Sequence, residues 1–199
     1  MNNRLNINGN FNANAVWQIH VDLLSRYRSR ISLNYLFDEF VIDPDVEIGK
    51  EHGKAFSLRY SIPVYERDKN ILNIFFSHIS VGTPTFRHGL GTNNFVNKNS
   101  PLGWENGSDA ISSNIGLSYL KKNSFGLDLL IGELQTGEEN IKERSYEPFK
   151  DYFADKYPSG EVLKKKYFQS ELFFGTKLGA YMILKSKFTI SKDKIIESM

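Results

Sequence analysis

Phe56-Ser57-Leu58-Arg59-Tyr60-Ser61-Ile62-Pro63-Val64 carries the pattern that decides the fold class of the chain. Phe56, Leu58, Tyr60, Ile62 and Val64 alternate with Ser57, Arg59, Ser61 and Pro63, so an extended backbone sends the apolar set to one face and the small or hydrophilic set to the other. The same split recurs near the C-terminus, where Leu178, Ala180, Met182, Leu184 and Phe188 oppose Lys185, Lys187 and Thr189. At the N-terminus Leu5, Ile7, Phe11, Ala13, Ala15, Trp17, Ile19, Val21 and Leu23 oppose a row rich in Asn, as one very long strand or two joined near Asn14. Further strands are predicted at 31–38, 71–81, 111–120, 125–134 and 167–174, and no segment holds helical periodicity for long. Counted from Ala15, about eight strands result, in an all-β, antiparallel chain.

Alternation alone does not say which face meets water, because a lipocalin-like soluble barrel shows it too, with the apolar face inward. Connection length separates the two. Short connections near 25–29, 66–70, 121–124 and 175–177 alternate with long loops at 39–54, 82–109 and 135–166. Short turns at one rim and long loops at the other are the habit of outer-membrane barrels. The expectation is therefore a transmembrane β-barrel of the outer membrane of a Gram-negative bacterium, 1–199 forming one domain with about 8–10 strands present. An odd parity at the last strand, the lack of a signal peptide at Met1-Asn2-Asn3-Arg4 and a tail without a terminal aromatic suggest part of a larger barrel. A soluble sandwich or barrel is the competing fold.

Composition agrees with an all-β chain. Of 199 residues, 15 are Phe and 10 are Tyr, an aromatic content of 14% that suits a protein with aromatic girdles. Lys and Arg number 25 against 23 Asp and Glu, a net charge of +2 that does not suit a protein held to nucleic acid by its phosphates, so none is expected as a partner. There is no Cys, which excludes disulfides, thiolate metal sites and a Cys nucleophile. The longest apolar runs, such as Ile71 to Phe76 with Asn73 inside, fall far short of the roughly 20 residues of a spanning helix.

The most informative stretch outside the strands runs from Phe86 to Asp109: Phe86-Arg87-His88-Gly-Leu-Gly-Thr-Asn93-Asn94, then Asn99-Ser100-Pro101-Leu102-Gly103-Trp104, then Gly107-Ser108-Asp109 entering the next strand. An aromatic and a His before an Asn pair, an Asn-x-Pro-Leu-Gly element and a Gly-x-Asp resemble a loop of the capsule-assembly Wzi-like outer-membrane barrels. The preceding stretch Leu36-Phe37-Asp38-Glu39-Phe40-Val41-Ile42-Asp43 is similar to an acidic element of such barrels. The resemblance covers about a fifth of the chain. It implies a non-enzymatic barrel associated with capsular or surface polysaccharide, with outer-membrane lipid and that polysaccharide as partners. Oligomeric state stays open.

The residue types suit two roles. Trp104 and Phe86 can stack on apolar sugar faces while Arg87, His88, Asn93, Asn94 and Asp109 offer donors and acceptors to hydroxyls. Alternatively, Asn, Gly and Pro are there because a long ordered loop needs turn formers that bond its own backbone. No catalytic residue is expected: His88 lacks a nucleophile at a recognisable spacing, and Ser100 lacks the Gly-x-Ser-x-Gly elbow of an esterase. No cofactor or metal is expected, although Asp43, Asp45 and Glu47 would project together from an extended backbone as a calcium patch. A passive porin-like channel, its lumen lined by Ser57, Arg59, Ser112, Asn114 and Asp128, is the second functional expectation. The lysines at 121–122 and 164–166 stand at strand entrances, where they can meet lipid headgroups or acidic polysaccharide.

Overall fold

A computed structural model describes residues 16–38, 52–88, 91–121, 124–145, 157–175 and 181–195. Among them are ten strands: β1 (Val16–Leu24), β2 (Arg30–Asp38), β3 (Gly53–Arg67), β4 (Asn70–Val81), β5 (Val96–Asn97), β6 (Ser100–Pro101), β7 (Ala110–Lys121), β8 (Phe125–Thr136), β9 (Val162–Gly175) and β10 (Tyr181–Ile195), with one 3-10 turn at Gly91–Asn93. No described helix is long and apolar enough to cross a membrane, which says nothing about strands. β5 and β6 form a small hairpin, and the other eight join in one antiparallel sheet in the order β1-β2-β3-β4-β7-β8-β9-β10. Its two outer strands do not pair with each other among the described residues, so the sheet is open. The long acidic stretch 43–47, the alternation at 5–15 and residues 178–180 lie outside the described residues.

Local chemistry accounts for the hairpins. Asp68 takes a φ of 56° in the short turn between β3 and β4, and Arg28 takes 60° between β1 and β2. There Ser25 closes the turn with its own side chain, which accepts from the Tyr27 N–H at 3.1 Å. Pro63 cannot donate to the ladder, and the register shifts between Pro63 and Tyr65, a bulge placed where the hydrogen bond is missing. Several strands run beyond the alternating segments: β3 begins at Gly53, β9 at Val162, and β10 reaches Ile195. Near the long-loop rim both faces turn polar, as at Lys164-Lys165-Lys166, so the hydrophobic period disappears while the backbone ladder continues.

Register turns the alternation into two continuous faces. Leu23, Ile31, Tyr60, Phe76, Ile115, Ile131, Phe168 and Phe188 are successive cross-strand partners, one from each strand of the sheet. Ile115 is 56% exposed, Ile131 61% and Phe188 67%. One residue along each strand, the row reads Asp22, Ser32, Arg59, Ser77, Asn114, Gly132, Tyr167 and Thr189. A one-residue step thus exchanges a wholly apolar row for a polar one, which pins the register wherever the two faces meet different surroundings.

Glycines on the polar face make room for rings. Phe75 is the cross-strand partner of Gly116 and Tyr167 that of Gly132, and a Cβ on either glycine would lie 2.3 Å and 2.6 Å from the ring it faces. The rings therefore lie across bare backbone, covering glycine positions that otherwise weaken a strand. Polar side chains link neighbouring strands on the same face: Asn34 donates to Ser57 at 3.0 Å and accepts from Gln18 at 2.9 Å, and Arg30 pairs with Asp22.

Buried apolar residues collect at one place only among those described. Val81, Phe86 and Ile141 form a cluster against which Leu36, Ala55, Ile79, Val96 and Trp104 pack. Leu36, Ala55 and Val81 are register partners on the polar face. The described parts of the loops after β4 and β8 consequently fold over that face at its long-loop end and enclose this small cluster there.

Candidate functional site: the loop cap and the trough beneath it

The cap is organised around Asp109, the residue immediately before β7. Its carboxylate accepts from Thr83 Oγ1 at 2.9 Å, the Ser159 N–H at 2.8 Å, Ser159 Oγ at 2.6 Å and the Glu139 N–H at 3.1 Å. Four donors from three loop segments satisfy one fully buried carboxylate, which ties the segments together more strongly than neutral groups would. Backbone bonds from Asp109 N–H to Gly82 and from Gly137 N–H to Asp109 carry the same junction. Asn140 does for backbone carbonyls what Asp109 does for donors, donating to the carbonyls of Asn106 and Ser108 while its Oδ1 accepts from the Lys142 N–H at 2.8 Å. Gly107, at a φ of 81°, faces that amide; a Cβ there would come within 2.6 Å of Asn140 Oδ1.

The rest of the 82–109 loop follows the same logic. Asp38, at the end of β2, accepts from the Phe86 N–H, and Phe86 stacks on Phe95 with centroids 5.9 Å apart. The Phe86 ring lies over Gly103, where a Cβ would be 2.4 Å from it. Between them Lys98 and Asn99 both adopt positive φ, 49° and 62°, the backbone a two-residue hairpin loop of the mirror-image type requires, so β5 and β6 are joined there. Asn94 accepts from the His88 N–H at 2.7 Å and donates to the Ser145 carbonyl at 3.1 Å, joining the two capping loops.

The anticipated site residues are thus brought together, mostly as framework. Arg87, His88, Asn94 and Asp109 are all buried, and Asn93 closes the 3-10 turn. The buried Arg87 guanidinium lies 4.0 Å from Glu139, which Arg144 also approaches at 3.4 Å. Burial pushes the Glu139 carboxyl above the ordinary carboxylate range, against the pull of Arg144 and Arg87. Trp104 differs from the others. Half-buried, it packs on the core cluster and also lines the space beneath the cap. Ser100 is exposed on β6, whereas His88 is buried. Among the described residues no three His, Asp or Glu side chains gather as metal ligands.

Beneath the cap lies a trough of about 750 Å³ on the polar face. Trp104, Ser112, Asn114, Tyr167 and Gln169 contribute aromatic, hydroxyl and amide groups to it. Tyr167 is fixed there by Ser112 at 3.2 Å. Such a surface can stack on a ring and exchange hydrogen bonds with hydroxyls. Thr83, Glu139 and Ser159 were not legible as partners of Asp109, since nothing local in the sequence ties residues 26 to 50 positions apart. Tyr167 could have been found from the polar face of its strand. Neither the family models nor the curated proteins nor the solved structures contain a match to this chain.

Proposed function

We propose that the chain is a wall segment of an outer-membrane β-barrel of the Wzi-like capsule-assembly kind, which acts without catalysis by holding surface polysaccharide on its polar side. The observation that carries the membrane reading is the register row from Leu23 to Phe188, a large apolar side chain on each of eight strands, most of them open to the surroundings. In water each such side chain forgoes about 1.5–3 kcal/mol of burial, whereas hydrocarbon removes that cost. The sheet strands, 9 to 15 residues long, reach or exceed the 9–11 or so that a tilted membrane strand needs. Backbone pairing satisfies the inner strands, and on this reading the outer edges of β1 and β10 pair with further strands of the barrel. The loop motif from Phe86 to Asp109 supports the family reading, and the plugged polar side favours holding a ligand over the free passage expected of a porin-like channel.

Two measurements on the detergent-purified full-length protein test this. It should insert into lipid vesicles, conduct little in planar bilayers, and bind polysaccharide purified from the surface of the cells that carry it. Trp104→Ala should weaken that binding several-fold, as loss of one stacking platform does. A chain that stays dissolved without detergent and ignores vesicles, or one with large steady conductance and no glycan binding, would overturn the proposal.

A further inference from the structure

The apolar side of the sheet has a slanted edge toward the long loops. Among the described residues, the last exposed large apolar side chain on that side is Trp17 on β1, Phe56 on β3, Phe76 on β4, Ile115 on β7, Ile131 on β8 and Phe168 on β9. Phe168 shares its register row with Leu23, six residues beyond Trp17 on β1, so the edge slips six residues over six strand steps. At roughly 3.3 Å per residue and 4.8 Å per strand this inclines the strands by about 35° to the normal of the apolar belt. Barrel strands in a membrane are inclined by about 35–45°.

Beyond that edge the outward side of β4, β7, β8 and β9 is polar. His78, Ser113, Glu133 and Lys166 are successive cross-strand partners, and Gln135 and Lys164 pair further toward the loops. Most of these groups satisfy one another: His78 Nδ1 and Ser113 Oγ lie 2.8 Å apart, and Gln135 donates to Glu133 at 2.7 Å. The ammonium groups are left over. Neither Lys164 nor Lys166 forms an ion pair with a described residue, whereas Lys185 on the polar face is paired with Glu171 at 2.9 Å. Glu133 is the one carboxylate on the outward side of β7, β8 and β9, so two lysines leave the patch cationic, and Lys192 is the register partner of Lys164. Lys165, between the two, lines the trough instead.

Height above the belt selects the partner. On strands inclined by about 35°, Lys166 stands about 5 Å and Lys164 about 11 Å above Phe168. The headgroup layer on each side of the hydrocarbon is roughly 5–8 Å deep. Lys166 therefore lies within that layer, and Lys164 reaches it by laying its apolar stem down along the strand.

We propose that Lys164 and Lys166 form a site on the outer wall for an anionic phospholipid, their ammonium groups holding its phosphate while the acyl chains lie against Phe168 and Ile131. This rests on the membrane reading above and is independent of the glycan one. A zwitterionic headgroup is held less well, because its own ammonium offsets the phosphate.

Brominated lipids quench a nearby indole, which gives a local test. A single Trp is placed beside the site, Phe168→Trp with Trp17→Phe and Trp104→Phe, in the full-length protein reconstituted in vesicles; Ile131→Trp in the same background is a second reporter on the neighbouring strand. Brominated phosphatidylglycerol is compared with brominated phosphatidylcholine. Both should quench, with the anionic lipid preferred at low salt by about fivefold for each lysine near it, and less so as salt rises. Lys164→Gln with Lys166→Gln should abolish the preference, while Lys165→Gln should keep it. Heat-modifiable gel mobility checks that each variant is folded. Equal affinity for the two lipids, or a preference that survives the double substitution, would overturn the inference and leave the membrane reading standing. A folded protein whose reporters neither lipid quenches would remove the membrane reading itself.

Discussion

Asp109 shows how much one side chain can organise. Removing a buried carboxylate that accepts from four donors leaves those donors unsatisfied, and bonds to a charged group contribute about 1.5–3 kcal/mol each. Asp109→Ala should therefore loosen the cap by several kcal/mol without disturbing the sheet. Limited proteolysis reads this directly: new cleavage within 82–109 and 137–145, with the strands still protected, is the expected pattern. Glu139 adds a pH dependence of opposite sign to the usual acidic residue. Its folded carboxyl holds a proton at a pH where the unfolded one has lost it, so the cap is most stable below the ordinary carboxylate value and weakens as pH rises through the raised one. Trp104 fluorescence during urea titration, with Trp17→Phe to isolate it, should show that decline, and Glu139→Gln should flatten it. Asp109 stood out in the sequence as the end of a Gly-x-Asp element, but its role did not, because its donors arrive from distant loops.

At the level of the strand, the two faces make contrary demands. On the polar face Phe75 occupies the space over Gly116, so Gly116→Val must displace the ring or the strand and should lower folding yield strongly. On the outward face Ile131→Lys should cost about 2–4 kcal/mol if the residue lies near the bilayer midplane. The folded fraction in vesicles, measured by heat-modifiable gel mobility, checks both; Asn114→Lys on the polar face should be tolerated far better than Ile131→Lys. Strand positions were legible because side-chain period two is written directly in the order of residues, as Phe56 to Val64 shows. Their ends were not. At the rim Lys164 and Lys166 precede Phe168 on its face of β9, and polar residues on both faces leave the backbone ladder with no hydrophobic trace.

At the scale of the whole sheet, the described residues enclose little interior in the ordinary sense. Its buried apolar residues among those described are Val81, Phe86, Ala110, Ile141 and Val162, and all gather at the capped end. A water-soluble sheet of eight strands would cover its apolar face with a second layer. Among the described residues that face carries exposed apolar side chains on seven of the eight strands, β2 excepted, while the loops after β4 and β8 cover the capped end of the polar one. The sequence foretold the alternating loop lengths but not that the long loops bend onto the polar side, since Leu36, Ala55 and Ile79 look like ordinary strand residues until their register places them under Phe86 and Trp104. The absence of Cys from the chain makes the decisive measurement clean. Single cysteines introduced at Ile115, Ile131, Asn114 and Asp128 can carry spin labels in the full-length protein reconstituted in vesicles. Labels at 115 and 131 should be relaxed by lipid-dissolved oxygen and shielded from a water-soluble nickel complex, with the reverse at 114 and 128. Free access of the nickel complex to positions 115 and 131 would contradict a membrane-facing sheet.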